Sequence, residues 1–319
     1  MTQTRGNDAM LTLIAAPAAL TTFAAVRTRA RQLGPKRVGV VFADDDVVLA
    51  AASDALLEGI ALPVLLGDEP RIRAHAASLG LAQLLHHAQF ISTPRAAQTA
   101  VALARRGELD ILMKGRLRTD ELLHPVLDKQ SGLRTGHLLC DVATCELPGD
   151  SGPRLVGISD GGINVAPTLD QKRQIILAAL EVLRCLGITQ TKVAVMSALE
   201  VVIDAMPSTK EARSLTELAA TGVFGEAEVY GPLALDNALF ETAARAKSIT
   251  HPVAGHADLL LMPNIEAGNM LAKSVIFLAR LPFAHVVAGA AVPILIPSRV
   301  ESAHDKVNSI ALGVLYAAR

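Results

Sequence analysis

Near the end of the chain, seven polar residues follow an apolar run. Hydroxyl, guanidinium, ammonium and carboxylate groups of this kind can bind charged ligands and move protons. A simpler interpretation is a helix start, because Ser302 and Asp305 have the spacing of a capping box. On the local sequence both interpretations stay open. The seven residues are Ser298, Arg299, Glu301, Ser302, His304, Asp305 and Lys306. Those expected at the surface are Glu301, His304 and Lys306.

Three cations and a glycine follow the apolar segment 110–113 and precede a predicted helix. Helix-end amides and cationic side chains both favour an anion at such a place. The alternative is a patch of solvated surface charge, and the two interpretations are equally supported. The residues concerned are Lys114, Gly115, Arg116, Arg118 and Thr119.

Further polar turns follow other predicted strands. Gly161 and Gly162 permit close backbone approach, and Asp160 with Asn164 supplies hydrogen-bonding groups. A capped turn explains these residues equally well. The remaining candidates in such turns are Ser159, Ser208, Thr209, Gly231, Pro232, Asn264, Gly268, Asn269 and Lys273.

These turns lie between short β-rich runs and longer helical segments. Strands are predicted at 37–43, 62–67, 110–115, 192–198, 257–264 and 292–298, and a strand that runs into a turn is predicted at 154–161 and at 226–232. Helices are predicted at 44–60, 91–109, 119–129, 168–187, 209–222, 233–248 and 266–281. This alternation predicts an α/β fold with mainly parallel strands. Because ligands lie beyond the carboxyl ends of such strands, we expect the polar turns to converge at one sheet edge.

Composition excludes some classes of function. The 319 residues allow two domains or one large one, and 51% hydrophobic residues argue against disorder. A formal net charge of -1 supplies no global field for nucleic acid or an anionic membrane. With no Trp and two Tyr, stacking platforms for single-stranded nucleic acid are not expected.

The cysteines and the beginning of the chain indicate a compartment. Cys140, Cys145 and Cys185 have no zinc-site spacing and predict free thiols in a reducing environment. The apolar segment 10–26 is expected to form an amphipathic helix rather than a secretion signal. We therefore expect a cytoplasmic protein. No phosphate-loop, dinucleotide-turn or H-E-x-x-H motif is present, so we expect neither a metal nor a tightly bound cofactor.

Several segments together are specific, although none would be alone. They are "MKG" (113–115), "TDELLHPVL" (119–127), "GLRTG" (132–136), "SDGGINVAPTLDQK" (159–172), "MPST" (206–209), "GPLALD" (231–236), "MPNIEAGN" (262–269), "SRVES" (298–302) and "NSIAL" (308–312). In these segments the chain resembles the phosphate acetyltransferase/phosphate butyryltransferase family. Members of that family exchange an acyl group between coenzyme A and inorganic phosphate.

The resemblance implies two doubly wound α/β domains flanking a cleft, as in the isocitrate and isopropylmalate dehydrogenases. The first domain would comprise 1–148 plus 288–319, and the second 149–287. The segment "PGDSGP" (148–153) is, from the sequence itself, the best linker candidate. The resemblance also implies a homodimer. Its substrates would be acyl-CoA, inorganic phosphate and acyl phosphate.

The resemblance assigns roles to three residues. Asp305, seven positions after Ser298, would remove the proton from the thiol of coenzyme A. Ser298 would hydrogen-bond the reacting groups, and Arg299 would hold phosphate and offset its charge. A base activates a weakly nucleophilic thiol, and an arginine fork suits both an oxyanion and a phosphate. Arg134, in "GLRTG", joins the turn residues named above as a candidate for substrate binding.

Three departures from the family pattern are visible. The butyryltransferase-like members usually lack an acid at the position of Asp305, yet "GLRTG" and "MPNIEAGN" look closer to that branch. His124 stands where acetyltransferases carry an arginine, and Tyr230 stands in place of an aspartate. Two alternatives stay open: a metal- and nicotinamide-dependent decarboxylating dehydrogenase of the same fold, and a non-catalytic sensor of acyl-CoA or phosphate.

Overall fold

The computed structural model describes residues 18–149 and 152–319. The expected helix at 10–26 and the linker at 148–153 therefore lie partly outside the described residues. The described residues form eleven strands in one sheet. The strands are β1 (Lys36–Val41), β2 (Ala61–Gly67), β3 (Gln89–Ser92), β4 (Ile111–Lys114), β5 (Cys140–Leu147), β6 (Arg154–Ser159), β7 (Lys192–Met196), β8 (Glu228–Leu233), β9 (Leu259–Leu261), β10 (Phe283–Ala288) and β11 (Ile294–Leu295).

Helices cover both faces of this sheet, as expected for strands that are apolar on both sides. They are α1 (Phe23–Leu33), α2 (Asp46–Leu57), α3 (Glu69–Ser78), α4 (Ala82–His87), α5 (Ala96–Arg105), α6 (Thr119–Val126), α7 (Leu169–Cys185), α8 (Pro207–Ala219), α9 (Leu235–Leu239), α10 (Glu241–Ala246), α11 (Ile265–Lys273) and α12 (Ala303–Ala317), with a π-helical turn at Ser274–Leu278. In the described residues no helix is both long enough and apolar enough to span a membrane.

The strand order is β3-β2-β1-β4-β11-β10-β5-β6-β9-β7-β8. The first five of these strands are mutually parallel, and so are the last four. Between the two sets, the pairs β11–β10, β10–β5 and β5–β6 are antiparallel. Three reversals make the two sets run in opposite directions. The expectation that all polar turns meet at one sheet edge is therefore wrong.

The mixed α/β class is confirmed, and most predicted elements are present. The predicted helix 91–109 is wrong at its start, because β3 pairs with β2 and only then does α5 begin. Gly231 and Pro232 lie inside β8 rather than in a turn after it. The predicted helix 233–248 is two short helices that meet at Phe240. The central antiparallel strands β5 and β10 were not predicted.

The last helix, α12, is buried on nearly every side and packs against α1, α2 and β10. Burial of one Leu, Ile or Val side chain contributes about 1.5–3 kcal/mol, and α12 buries Val307, Ile310, Leu312 and Leu315. Ser302 caps its N-terminus by accepting from the N–H of Asp305 at 3.1 Å, which confirms the predicted cap. The segment before α12 is therefore fixed at one end by the core.

Candidate active site

A cavity of about 460 Å³ lies over the middle strands of the sheet. Its lining comes from β4, β5, β10, α11 and the π-helical turn after it, and from the segments that begin α6 and follow β6 and β11. Predicted site residues from four separate segments meet here. They are Lys114, Thr119, Gly161, Asn269, Lys273, Ser298 and Arg299.

The turn at 298–301 leaves the sheet at the end of β11 and forms one wall of the cavity. Oε1 of Glu301 accepts a hydrogen bond from the N–H of Ser298 at 2.7 Å. Beneath the turn, Nζ of Lys306 donates to the carbonyl oxygens of Ser298 at 3.0 Å and Glu301 at 2.7 Å. Arg299 is exposed and lines the cavity. The turn thus presents Ser298 and Arg299 from a buried, charged support.

Asp305 does not line the cavity. Its Oδ2 accepts from Oγ of Ser302 at 2.6 Å, and its Oδ1 accepts from the N–H of Phe283 at 3.1 Å. Phe283 itself lines the cavity. The carboxylate is therefore one residue removed from the wall and also supports the start of α12.

The floor of the cavity contains a buried aspartate and histidine on adjacent strands. Nδ1 of His285, on β10, lies 3.1 Å from Oδ1 of Asp141, on β5. Nε2 of His285 lies 3.7 Å from Oε2 of Glu301. Burial lowers the pKa of His285, but the charges of Asp141 and Glu301 outweigh it and raise this pKa to about 9. His285 is therefore an imidazolium at neutral pH, held between two carboxylates.

Cations surround the open part of the cavity. Lys114 is buried at the end of β4, and burial followed by the charge of Arg299 lowers the pKa of its ammonium group. Within the part of the chain that the structure describes, Lys114 and Arg299 make no ion pair. Lys273 reaches the same cavity from α11 and is exposed. Such an arrangement attracts an anion.

The loop after β6 is organised by Asp160. Its Oδ1 accepts from the N–H groups of Gly162 at 2.7 Å and Ile163 at 2.9 Å, and its Oδ2 accepts from Nδ2 of Asn164 at 2.6 Å. Burial, followed by the charge of Asp141, raises the pKa of Asp160 to about 6. Asp160 and Asn164 therefore shape the loop, and only Gly161 and Gly162 of this loop reach the cavity. Oγ of Ser159 is buried and donates to the carbonyl oxygen of Asp141 at 2.9 Å.

The N-terminus of α11 packs directly on that loop. A Cβ on Gly268 would overlap with the carbonyl oxygen of Asp160, so only glycine fits there. Nδ2 of Asn269 donates to the carbonyl oxygen of Gly161 at 3.0 Å. Asn264 caps the helix by accepting from the N–H of Ala267 at 2.9 Å. Gly268 and Asn264 thus position Asn269 and Lys273 without lining the cavity themselves.

Two predicted residues lie at the turn between β4 and α6. A Cβ on Gly115 would overlap with the carbonyl oxygens of Val41 and Phe42, and this close approach explains the glycine. Thr119 lines the cavity as the first residue of α6. The N-cap of this helix is Arg118 rather than a threonine.

Besides the supporting residues described above, five further predicted binding residues do not line the cavity. Thr209 is buried and donates through Oγ1 to the carbonyl oxygen of Met206 at 2.7 Å. The N–H of Gly231 donates to Oγ1 of Thr216 at 2.9 Å. These contacts stabilise the fold around α8 and β8. The five residues are Arg134, Ser208, Thr209, Gly231 and Pro232.

Sequence reasoning missed the residues behind the wall and on the floor of the cavity. Glu301 and Lys306, expected at the surface, have relative exposures of 4% and 1%, so that expectation is wrong for both. Of the three, only His304 is exposed. Asp141 and His285 belong to the two unpredicted strands. Each is an ionisable residue inside an apolar run, "CDVATC" and "FAHVVA", and that is the signal that would have found them.

In the described residues no group of three or more His, Cys, Asp or Glu side chains is arranged to hold a metal ion. Cys140 and Cys145 are buried free thiols, and Cys185 is a half-buried one.

A family model described as "Phosphate acetyl/butaryl transferase" matches residues 82–314. This range is most of the chain and contains all the residues of the cavity wall. The chain belongs to that family. The resemblance inferred from the sequence motifs is confirmed.

Relatives with assigned names agree with this membership. The chain is 40% identical over 293 residues to a phosphate acetyltransferase of Rhizobium meliloti, which covers 91% of this chain and 92% of the relative. It is 38% identical over 285 residues to a phosphate butyryltransferase of Clostridium acetobutylicum, covering 88% and 93%. Both branches of the family match almost equally well.

Solved structures agree at the level of the fold. A branched-chain phosphotransacylase from Enterococcus faecalis V583 superposes with a TM-score of 0.78 at 28% identity, covering 88% of this chain and 99% of the other. A 4-hydroxythreonine-4-phosphate dehydrogenase from Burkholderia phymatum has a TM-score of 0.51 at 14% identity, covering 88% and 98%. The second match shows the fold alone and confirms the expected dehydrogenase-like architecture.

Proposed function

We propose that this protein transfers a short acyl group between coenzyme A and inorganic phosphate. The observation that carries the proposal is the family match, whose range contains the cavity where Ser298, Arg299 and Lys114 meet. Membership of a transferase family favours this reaction over a decarboxylating dehydrogenase. The cavity residues support an active transferase rather than a sensor.

The charge pattern of the cavity suits the reactants. Phosphate, acyl phosphate and the pyrophosphate of coenzyme A are all anions, and Lys114, Lys273 and Arg299 line one cavity. The guanidinium of Arg299 can hold two oxygens of a phosphate at once, whereas the two lysines act as point charges. We assign phosphate binding to Arg299, with Lys114 beside it.

The reaction needs one bond exchange and one proton transfer. The thiol sulfur attacks the carbonyl carbon of the acyl phosphate, the S–C bond forms, and the C–O bond to phosphate breaks. The proton lost by the thiol is gained by the departing phosphate. In the tetrahedral intermediate the charge lies on the former carbonyl oxygen, where Oγ of Ser298 can donate a hydrogen bond.

Asp305 is the proposed base for the thiol. Its carboxylate accepts from Ser302 and from the N–H of Phe283, which lines the cavity. Hydrogen bonds of catalytic groups often become aligned only when the substrate is bound. In this proposal Asp305 receives the thiol proton and returns it to phosphate.

Three further parts of the proposal rest on the resemblance. Coenzyme A enters and leaves as a substrate rather than staying as a cofactor. The protein acts as a homodimer. Its proposed location in the cytoplasm rests instead on the three free thiols, which are consistent with a reducing compartment. Residues 149–287 form a second domain, which limited proteolysis followed by mass spectrometry would test. Sedimentation equilibrium would test the dimer.

The proposed function is tested by release of coenzyme A from acetyl-, propionyl- and butyryl-CoA, followed with a thiol reagent. We expect release only when phosphate is present, together with formation of an acyl phosphate that hydroxylamine traps. Absence of phosphate-dependent release with every short acyl-CoA would falsify the proposal.

A further inference from the structure

The turn that carries Ser298 and Arg299 is fixed by buried charged groups rather than by apolar packing. Glu301 accepts from the N–H of Ser298 at 2.7 Å and donates its own N–H to the carbonyl oxygen of Ser298 at 3.2 Å. Lys306 donates to two carbonyl oxygens of the same turn. Burial lowers the pKa of the Lys306 ammonium group, although the charges of Glu301, Asp45 and Asp305 oppose that effect. Burying charged groups of this kind costs free energy unless each charge has an oppositely charged partner.

Two polar side-chain atoms at this support lack a hydrogen-bond partner in the described part of the chain. Oε2 of Glu301 and Nε2 of His285 are both buried, and neither has a hydrogen-bond partner among the described residues. They lie 3.7 Å apart, across the wall of the cavity. The other side of the imidazole is held by Asp141. A buried polar atom without a partner lowers the stability of the fold by about 1–3 kcal/mol. Two such atoms side by side are therefore unfavourable unless the arrangement serves a purpose.

We propose that Glu301 is a positioning residue for acyl transfer: one carboxylate oxygen accepts from the N–H of Ser298, while the other forms an ion pair with the His285 imidazolium at 3.7 Å. The proposal rests on the proposed function. The ion pair fixes the direction in which the Ser298 hydroxyl and the Arg299 guanidinium face phosphate. Glu301 itself touches no substrate.

The protonation state of His285 decides whether this support is complete. The charged groups that face His285 are Asp141 on β5, Glu301 on the turn and Lys114 on β4. From α12, Oγ of Ser309 accepts from the N–H of His285 at 3.0 Å and adds no charge. An imidazolium can donate to both carboxylates, whereas a neutral imidazole has one N–H and can donate to one. Loss of the proton therefore removes the positive charge that faces both carboxylates and leaves an N–H for at most one of them.

The test uses steady-state kinetics of the full chain, with Glu301→Gln as the main variant. Glutamine keeps the shape and an oxygen for the Ser298 N–H, but it removes the charge opposite His285. We expect kcat/KM for phosphate to fall by about tenfold to a hundredfold, because a displaced donor near the reacting atoms has effects of that size. The KM for acyl-CoA is expected to change less than threefold, an order-of-magnitude bound for a group that does not touch it.

Asp258→Asn is the matched control. Oδ2 of Asp258 accepts from the N–H of Lys192 at 2.9 Å, and the residue is half-buried, but it lies outside the cavity. If both variants lower kcat/KM for phosphate by the same factor, the effect is general loss of stability and the inference is wrong. It is also wrong if Glu301→Gln stays within twofold of the wild type, roughly the smallest change such kinetics resolve.

A second measurement decides the matter if Glu301→Gln does not fold. The ratio of wild-type to His285→Gln kcat/KM for phosphate is followed from pH 7.5 to 9.5, in roughly the range where the imidazolium loses its proton. Titration of the substrates cancels in this ratio. We expect the ratio to fall several-fold towards high pH, and a ratio independent of pH would overturn the inference. An inactive wild type would instead refute the proposed function and is recognised before any variant is made.

Discussion

Nδ1 of His285 lies 3.1 Å from Oδ1 of Asp141, across the antiparallel pair of β10 and β5. The two residues sit at the join between the two oppositely directed sets of parallel strands. The join is therefore both the centre of the sheet and the floor of the cavity. The charge state of His285 and Asp141 therefore affects both the stability of the fold and the geometry of the site.

The first prediction concerns the pH dependence of stability. The pKa of His285 is raised from its ordinary value to about 9 in the folded chain, where carboxylates outweigh burial. A raised pKa means that the stabilisation is fully present below the unfolded pKa of about 6.5 and is lost as pH rises through about 9. Urea unfolding should show that the stability difference between wild type and His285→Gln shrinks by about 3 kcal/mol between pH 6 and 10. A difference that stays constant over this range would contradict the assigned charge state.

The second prediction concerns Arg299→Lys. The substitution keeps the positive charge but removes the fork that holds two phosphate oxygens. We expect kcat/KM for phosphate to fall at least about tenfold, with a smaller change in the KM for acyl-CoA. Arg95→Lys is the control, because Arg95 is exposed and lies outside the cavity. Equal effects of the two substitutions would remove Arg299 from the phosphate site.

The third prediction separates two roles of Asp305. Asp305→Asn removes the proposed base, whereas Ser302→Ala removes the cap of α12 and one hydrogen bond to the carboxylate but keeps the carboxylate itself. We expect Asp305→Asn to lower kcat by about a hundredfold or more, as loss of a general base does. Ser302→Ala should lower stability by about 1 kcal/mol and leave most of the activity. Near-normal turnover of Asp305→Asn would show that another group accepts the thiol proton.

The fourth prediction tests the packing of α11 on the loop after β6. A Cβ on Gly268 would meet the carbonyl oxygen of Asp160 and the Cα of Gly161, which are backbone atoms that cannot turn aside. Gly268→Ala should lower the free energy of unfolding by about 1–3 kcal/mol. It should also lower activity, because Asn269 and Lys273 would move with the helix. Gly313→Ala is the control, since its new Cβ meets only side chains at 3.3 Å or beyond.

The parts of the fold that follow a local pattern were predictable from the sequence. Apolar runs, helix caps and terminal glycines indicate four elements, and each lies within a few residues of its expected range. They are β1, α2, β2 and α7. β5 and β10 were not predicted, because an antiparallel strand at a sheet's centre carries no helix-crossover signal. Their partners are distant along the chain: Ala143 pairs with His285. Only tertiary pairing identifies them.

The residues of the candidate site also separate into those that the sequence predicts and those that it does not. Ser298, Arg299 and Lys114 were found because they follow apolar runs and match motifs. Glu301 was not distinguished from surface charge, because burial of a charged residue depends on which groups face it in the fold. In this chain the deciding partner, His285, belongs to a strand that the pattern did not reveal. A charge network of this kind is visible only once the strands are paired.

The last prediction concerns acyl-chain length. Ile296 lies two residues before Ser298 and forms part of the cavity's apolar lining. Shortening it to alanine enlarges the cavity near Ser298. Each added methylene of substrate that fills an apolar space is worth about 1–3 kcal/mol. Ile296→Ala should therefore raise the ratio of kcat/KM for butyryl-CoA to that for acetyl-CoA by about tenfold. Ile294→Ala is the matched control, because Ile294 is fully buried in the same segment and does not line the cavity. If both variants leave the ratio unchanged across acetyl-, propionyl- and butyryl-CoA, the acyl chain lies elsewhere. If both raise it equally, the change reflects a loosened core rather than a wall of the acyl site.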